Sequence, residues 1–265
     1  MNYAIIQGGN ARTISLLTLL TLLSLQNLAQ GSSSWELDKM PVDLETDYAL
    51  SALPPNLRAG AAVYLLDPRK GYYLARKGTN GFSAYVNRTE WERGEFVQDT
   101  YAALGFDSAG SESILKVFLE VGAMRASGKY TPTQLRDIIV QRVKDGTYQA
   151  PPRAGICYML SPLLRTHLDG GIGNMVMPHY MFYAPGVDDH DIGGGWQPGG
   201  HQPFVASTGA VLDKSHSIFN YIILAAGETE KARIVEENKD LLQRLAAYKS
   251  ILKVDVNAPG HRHTN

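Results

Sequence analysis

The sequence predicts a single α+β domain in which helices pack on one side of an antiparallel sheet. Short apolar runs bounded by Gly, Pro, Asn and Asp predict strands. Longer segments repeat their apolar residues at the 3.6-residue period of an amphipathic helix. No internal repeat or long linker divides the chain, which favours one domain.

The domain opens with three predicted strands that are expected to form an antiparallel meander. The first, Ala61–Leu66, ends at the turn residues Asp67–Gly71. The next two, Tyr72–Arg76 and Phe82–Asn87, are joined by a loop containing Asn80-Gly81, a strong hairpin signal. Three later apolar runs are also predicted as strands: Ile156–Leu160, Met175–Tyr183 and Ile218–Ala225. The last of them is expected in the sheet interior because it is apolar throughout.

Two helices are predicted after the meander. Ser111–Ala126 has an apolar face at helical spacing. Thr131–Gln134 is a capping box with proline at the first helical position, and it opens a helix that runs to about Lys144. A third, highly charged helix is predicted over Glu228–Lys253. Its apolar stripe contains Ile234, Leu241 and Leu245.

The first 31 residues have the order of a secretory signal peptide. The apolar run Ile14–Leu25 follows a single positive charge at Arg12, and Ala29-Gln30-Gly31 supplies the small residues of a cleavage site. The run is shorter than the roughly 20 residues of a membrane span. We therefore expect a secreted or periplasmic protein without membrane insertion. The other expected boundaries are a flexible N-terminal arm at 32–56, the domain at 57–227 and a disordered tail at 254–265.

Composition excludes some classes of partner. The formal net charge is −1 and basic residues form no long run, so the sequence predicts no nucleic-acid partner. The single cysteine, Cys157, rules out an intramolecular disulfide and lies in an apolar run, where it is expected to be a buried small hydrophobe. Tyrosine is abundant, with 14 residues, which suits a sugar or aromatic ligand.

Histidines concentrate in one part of the chain. Five of the seven lie within fifty residues, and His179, His190 and His201 are spaced by eleven. Asp191 lies beside them on a Gly-rich segment. Imidazole and carboxylate together favour a divalent transition metal such as zinc, with His179, Asp191 and His201 as the ligands. A metal-bound water or hydroxide would then attack the substrate.

Other interpretations of these residues stay open. Without a metal, His179 would be a general base oriented by Asp191 or Asp107. Alternatively, all of these side chains are structural. Tyr180, Tyr183 and Trp196 flank the histidines and offer a stacking wall for an aromatic or sugar ligand, with Tyr183 and Trp196 as the substrate-binding candidates. A core position is favoured for Tyr180 and Tyr183.

Two segments resemble a set of uncharacterised secreted bacterial proteins. They are Ala75–Phe82, with the sequence ARKGTNGF, and His179–Pro185, with HYMFYAP, followed by Asp191-Ile192-Gly193. The resemblance covers Leu53–Ala225 and implies an exported protein, without implying a reaction. The positions that match the pattern, and so are preferred site residues, are Asn80, His179, Asp191 and His201.

The similar proteins tend to carry cysteines at the positions of Ala84 and Gly105. Both cysteines are absent here, as though a disulfide had been lost as a unit. This departure from the pattern weakens the case for carrying any redox role of the set over to this chain.

The sequence leaves three functions open. The first is a secreted small-molecule enzyme, a hydrolase or lyase, with a His/Asp site on the Gly-rich loop. The second is a non-catalytic periplasmic protein that binds a ligand or metal. The third is an envelope interaction module with Glu228–Lys253 as its partner helix, which could also form a homodimer. An enzyme requires its histidines to converge in a concave pocket, whereas the third function requires an exposed apolar stripe.

Overall fold

The structure is a computed structural model that describes residues 37–168, 170–195, 202–206 and 211–255. These residues belong to one compact unit. The predicted signal peptide and nearly all of the predicted C-terminal tail lie outside the described residues, as do Trp196 and His201. Those expectations stay predictions.

The described residues contain seven α-helices and ten strands. The helices are α1 (Val42–Ser51), α2 (Pro55–Arg58), α3 (Ser108–Glu112), α4 (Ile114–Ala126), α5 (Pro132–Lys144), α6 (Glu228–Glu237) and α7 (Lys239–Tyr248). The strands are β1 (Ala62–Asp67), β2 (Gly71–Arg76), β3 (Ser83–Asn87), β4 (Tyr101–Phe106), β5 (Ile156–Met159), β6 (Leu164–Leu168), β7 (Gly171–Met175), β8 (His179–Tyr183), β9 (Phe204–Ala206) and β10 (Tyr221–Ala225). Within the described ranges, no helix has the length and apolar character needed to cross a membrane.

All ten strands join one mixed sheet, which confirms the α+β class. The strand order is β2-β1-β3-β4-β5-β8-β10-β9, and the β6–β7 hairpin is attached to β4 through β6. Neighbouring strands are antiparallel except for β1 and β3, which are parallel. β10 pairs with β8 on one side and β9 on the other, so its predicted interior position is confirmed.

The predicted three-stranded meander is wrong. β1 lies between β2 and β3, and Ala62 is opposite Ser83 in the parallel pair. The loop before β3 packs across the start of β1: a Cβ at Gly78 would lie 2.3 Å from the Ala62 nitrogen. Thr79 N donates to the Gly60 carbonyl over 2.6 Å. These tertiary contacts outweigh the local hairpin signal of Asn80-Gly81.

Helices cover both faces of the sheet, rather than the single side that was expected. On one face, α4 and α5 pack over a core that includes Tyr85 and Phe106. On the other, α1 and α7 pack over β1, β3 and β4 in a second core that includes Val63 and Val86. The alternation of side chains along a strand supplies both cores. Cys157 is fully buried in the first core, as predicted.

The expectation of a flexible N-terminal arm is wrong over its described part. Residues 42–51 form α1, which buries Leu44 and Tyr48. The Tyr48 hydroxyl lies 3.1 Å from the carbonyl oxygens of both Tyr101 and Leu163, which fixes the helix to the sheet. Pro41 is compatible with this helix because it is the N-cap residue, before the first helical turn, where proline is tolerated.

The segment predicted as one helix over Glu228–Lys253 contains α6 and α7, which meet at Asn238. The Asn238 side chain donates to the Ile234 carbonyl over 2.7 Å, a local bond that competes with helical pairing. Leu241 and Leu245 are buried in the same core as α1, and Ile234 is buried as well. The envelope interaction module required this stripe to be exposed, so its burial argues against that hypothesis. The homodimer through the C-terminal segment stays a prediction.

The two positions at which the resemblance implies cysteines lie opposite each other. Ala84 of β3 is the register partner of Gly105 of β4. Leu53 occupies the space beside them, because a Cβ at Gly105 would lie 2.3 Å from its Cδ2. The Leu53 side chain therefore fills the space that a larger side chain at position 105 would need.

Candidate functional site

His179, the residue on which the metal and acid–base hypotheses both depend, is buried. It begins β8 between Met159 of β5 and Ala225 of β10, with 2% of its surface exposed. Its Nδ1 lies 2.6 Å from the Met177 carbonyl, so Nδ1 carries the proton and donates. Burial lowers the pKa of His179 to about 4. The imidazole is therefore neutral at pH 7, and a substrate in solution cannot reach it.

Asp191 lies in an exposed turn after β8. Asp188 and Asp191 each accept a hydrogen bond from the other's backbone N–H, over 3.1 and 3.0 Å. The adjacent Asp189 accepts from Val205 N of β9 over 2.7 Å, which ties the turn to the sheet edge. Val205 belongs to β9, which is separated from β8 by β10, and its register position in the sheet is that of Phe182. The turn is therefore attached to the sheet away from His179, which lies at the start of β8.

The structure does not gather a metal site from the residues that it describes. Among them, no group of three or more His, Cys, Asp or Glu side chains could hold a metal ion. His201 lies outside the described residues, so its convergence with His179 and Asp191 stays a prediction. Trp196 lies outside them as well, and its role in substrate binding also stays a prediction.

Asp107 and Tyr183, two of the predicted site residues, do meet. The Tyr183 hydroxyl donates to Asp107 Oδ1 over 2.9 Å, and the same oxygen accepts from Gly110 N at the start of α3. Asp107 Oδ2 accepts from Ile156 N over 3.2 Å. Space is tight, because a Cβ at Gly155 would lie 2.2 Å from Oδ2. The carboxylate is thus used to join β4, β5 and β8, and it does not pair with His179 as a catalytic dyad would require.

Asn80 braces its own loop. Its Nδ2 donates to the Leu57 carbonyl over 2.8 Å, and its Oδ1 accepts from Phe82 N over 3.1 Å. The next residue, Gly81, has a φ of +79°, and its Cβ position would lie 3.6 Å from Ser108 of α3. Asn80 therefore positions Phe82 and sets the loop beside α3, rather than lying free for a substrate.

The second resembling segment contributes to a surface that the histidine pattern did not indicate. Side chains alternate along β8, so that Met181 and Tyr183 enter the core with α4, whereas Tyr180 and Phe182 project to the opposite face. Strand register extends this arrangement across β5, β10 and β9. The resulting surface, called the open face below, consists of Ile156, Tyr158, Tyr180, Phe182, Val205, Ile222 and Leu224.

The open face is partly exposed to solvent. Phe182 and Leu224 are 42% and 39% exposed, and the other side chains are half-buried. Among the described residues, α1 and α7 cover the neighbouring strands β1, β3 and β4, and α6 reaches the border of the open face at Tyr180. An apolar and aromatic surface of this kind is a candidate for ligand contact.

Three aromatic rings form a row at one side of the open face. The ring centroids of Phe82 and Tyr158 are 6.1 Å apart, and those of Tyr158 and Tyr180 are 5.9 Å apart. The Tyr180 hydroxyl donates to Glu230 Oε1 of α6 over 2.7 Å, and Arg233 lies 3.6 Å from the same carboxylate. Burial and this hydrogen bond raise the pKa of Tyr180 to about 12, so its hydroxyl stays neutral.

A second polar group lies near the opposite end of β5. Arg153 donates to Ser108 Oγ over 2.7 Å and lies 3.7 Å from Asp107 Oδ2, with 58% of its side chain exposed. It precedes Ile156, the first residue of β5 on the open face. The apolar surface therefore has charged groups near two of its borders.

Both resembling segments reach this site: Phe82 belongs to the first, and Tyr180 and Phe182 belong to the second. The alternation in His179–Tyr183 was the sequence signal for the last two, because it separates them from His179. Comparisons of the chain with protein-family models, with curated proteins and with solved structures find no match.

Proposed function

We propose that the protein binds a small molecule on the open face and does not transform it. The ligand has a flat apolar surface with hydroxyl groups at its border, as a sugar or a hydroxylated aromatic compound has. The observation that carries the proposal is the aromatic row of Phe82, Tyr158 and Tyr180 beside the exposed ring of Phe182.

Side-chain chemistry supports this class of ligand. Aromatic rings offer a large, stiff apolar surface against which a flat molecule can stack. The carboxylate of Glu230, the Arg233 guanidinium and the Tyr180 hydroxyl form a polar group at the end of the row, and these groups can accept from and donate to hydroxyls. Apolar surface with a few placed polar groups is the common composition of a small-molecule site.

The contacts of the predicted catalytic residues favour binding over catalysis. His179 is buried and its Nδ1 is bonded to a backbone carbonyl. The Asp107 carboxylate is bonded to Tyr183, Gly110 and Ile156. A general base must reach the proton that it removes from a substrate. Neither residue is placed to do so on the open face, so the binding function is the better supported of the two.

Saturation-transfer NMR on the purified protein tests the proposal, with panels of neutral sugars and hydroxylated aromatic compounds as probes. We expect at least one class to bind, and Phe182→Ala and Tyr180→Ala to weaken it about tenfold, a loss of about 1.4 kcal/mol. Tyr73→Ala is the matched control, because Tyr73 is a comparably exposed aromatic residue on β2. Binding that is unchanged in both open-face variants, or no binding by either panel, would overturn the proposal.

We also propose that the mature protein works in a secreted or periplasmic compartment and begins near Ser32. The support is the order of charged, apolar and small residues in positions 1–31. Intact-mass measurement of protein exported from a bacterial host should give a chain that lacks Ile14–Leu25. A product that keeps this segment would contradict the proposed compartment without affecting the ligand proposal.

A further inference from the structure

A separate surface lies at the far edge of the sheet from the open face. β2 is the terminal strand, and among the described strands it pairs with β1 alone. Its outer edge therefore presents backbone N–H and C=O groups that no described strand uses. Such an edge can accept one more strand from another polypeptide.

The middle of this edge strand is apolar and exposed. Tyr73 and Leu74 are 40% and 44% exposed, and Ala75 is exposed as well. The strand contains no proline and no acidic residue that would block pairing. Natural edge strands are commonly protected by charge, proline or a bulge. The exposed centre of β2 carries neither charge nor proline, and its register with β1 shifts only at Ala75, so that Gly71 to Leu74 pair without interruption.

Basic residues flank the strand at both ends. Arg69 and Lys70 lie in the turn before it, Lys77 follows it, and all three are exposed. None of the three forms an ion pair with a described carboxylate. The one acidic side chain in the turn, Asp67, accepts from Arg69 N over 2.9 Å. The edge is therefore an apolar strip between two positive ends.

We propose that the outer edge of β2 binds an extended segment of a partner protein, apolar at its centre and carrying carboxylates at its ends. Backbone hydrogen bonds would supply the pairing, and Tyr73 and Leu74 would contact the central side chains. The carboxylates would meet Arg69, Lys70 and Lys77, which selects this partner by charge complementarity.

The same charges disfavour a second copy of the chain as the occupant. Antiparallel pairing of two β2 strands would place Arg69 and Lys70 of one copy beside the positive end marked by Lys77 of the other. Like charges placed opposite each other destabilise a strand pair. The partner that fits is therefore acidic rather than identical.

Fluorescence anisotropy with labelled synthetic peptides tests the proposal on the full chain. The probe peptide alternates valine and threonine at its centre and has two glutamates at each end. A second peptide replaces the glutamates with lysines. A third keeps the glutamates but carries N-methyl groups on its central residues, so that neither edge of the peptide can donate backbone hydrogen bonds. We expect the first to bind at least about tenfold more tightly than either of the others.

Variants of the protein separate the edge from general electrostatics. Lys70→Glu with Lys77→Glu should weaken the acidic peptide about tenfold, and the effect should shrink at high salt. The matched control, Lys144→Glu with Lys253→Glu, makes the same change in net charge at exposed positions elsewhere and should have little effect. Circular dichroism of all variants verifies that the sheet is intact.

Three results would overturn the proposal. Equal binding of the glutamate and lysine peptides would remove the charge argument, and tight binding of the N-methylated peptide would remove the strand pairing. Self-association of the unliganded protein that Leu74→Lys abolishes would identify a second copy as the occupant. These outcomes are independent of the ligand test on the open face.

Discussion

One face of the sheet has two halves that differ in what lies over them. In the covered half, β1, β3 and β4 lie beneath α1 and α7, and side chains such as Val63 and Val86 are fully buried. In the other half, the open face extends over β5, β8, β10 and β9, and Phe182 is 42% exposed. Both halves alternate apolar side chains in the same way, so the difference arises from the helices and not from the strands.

The cover comes from segments that are distant in sequence. α1 precedes the sheet and α7 follows it, yet Arg244 of α7 bonds to both Asp43 and Asp47 of α1, over 2.9 and 2.6 Å. Exposed ion pairs contribute little stability, so the leucines beneath them hold the two helices together. The comparison teaches that a strand pattern predicts which residues share a face, whereas helix placement decides which of those residues can contact a ligand.

Removing the C-terminal helices should have the largest effect. A chain ending after Gly227 loses Leu241, Leu245 and Leu252 from the core of the covered half. At about 2 kcal/mol for each buried leucine, the loss approaches the total stability of a typical domain. We expect calorimetry to show no cooperative thermal transition. A chain ending after Asp255 keeps all three leucines and is the control. A sharp transition in the shorter chain would mean that the covered half folds without its helix α7.

The second-largest effect is expected in the pH dependence of the free energy of unfolding, through a buried carboxyl group in the covered half. Glu45 of α1 is buried, accepts from Leu66 N over 2.9 Å, and has its pKa raised to about 7 by that burial. The folded state thus keeps a proton that the unfolded state loses near its ordinary pKa of 4.5. The free energy of unfolding therefore falls as pH rises from about 4.5 to about 7.

Glu45→Gln should remove this part of the pH dependence, because the amide oxygen can still accept from Leu66 N. The variant should match the parent near pH 4.5 and exceed its stability by up to about 3 kcal/mol above pH 7. Urea unfolding at several pH values measures the difference. Glu112→Gln, at an exposed position on α3, is the control. Parallel pH profiles for the parent and Glu45→Gln would contradict the buried carboxylate.

A smaller effect on the free energy of unfolding is expected from a substitution in β4, which lies between the covered half and β5. Gly105→Ala would place a Cβ 2.3 Å from Leu53 Cδ2, and Leu53 is fully buried. Overpacking of this kind costs about 1–3 kcal/mol in the free energy of unfolding. Adding Leu53→Ala should make room and abolish the cost of Gly105→Ala, which denaturant unfolding of the four proteins measures. Gly195→Ala, where a Cβ has nothing within 4 Å, should change little. Additive losses in the double variant would contradict the contact.

The predictions from sequence succeeded where a few neighbouring residues decide the structure. The capping box at Thr131 is formed as expected, with both reciprocal hydrogen bonds to Gln134. Helix α4 ends at Ala126, as its apolar period predicted. By contrast, the parallel pairing of β1 with β3 depends on contacts between Gly60, Gly78 and Thr79 that no local pattern contains.

The burial of His179 could not be predicted for a related reason. The spacing of histidines carries no information about the strands on either side of His179, and those neighbours bury it. The sequence could have predicted that Tyr180 and Phe182 share a face, because side chains alternate along β8 and separate these two from His179. What the sequence could not provide was the position of α1 and α7, which lie over β1, β3 and β4 in the part of the chain that the structure describes.

The smallest effect on stability is expected on the open face itself. Phe182→Ala removes a ring that is 42% exposed, whereas Leu245→Ala removes a side chain that is fully buried in the covered half. We expect a loss of less than about 1 kcal/mol for Phe182→Ala and about 2–5 kcal/mol for Leu245→Ala. Denaturant unfolding of both variants in one buffer gives the comparison directly. Equal losses would mean that something covers Phe182 in solution, and the open face would then be part of the core rather than a surface for a ligand.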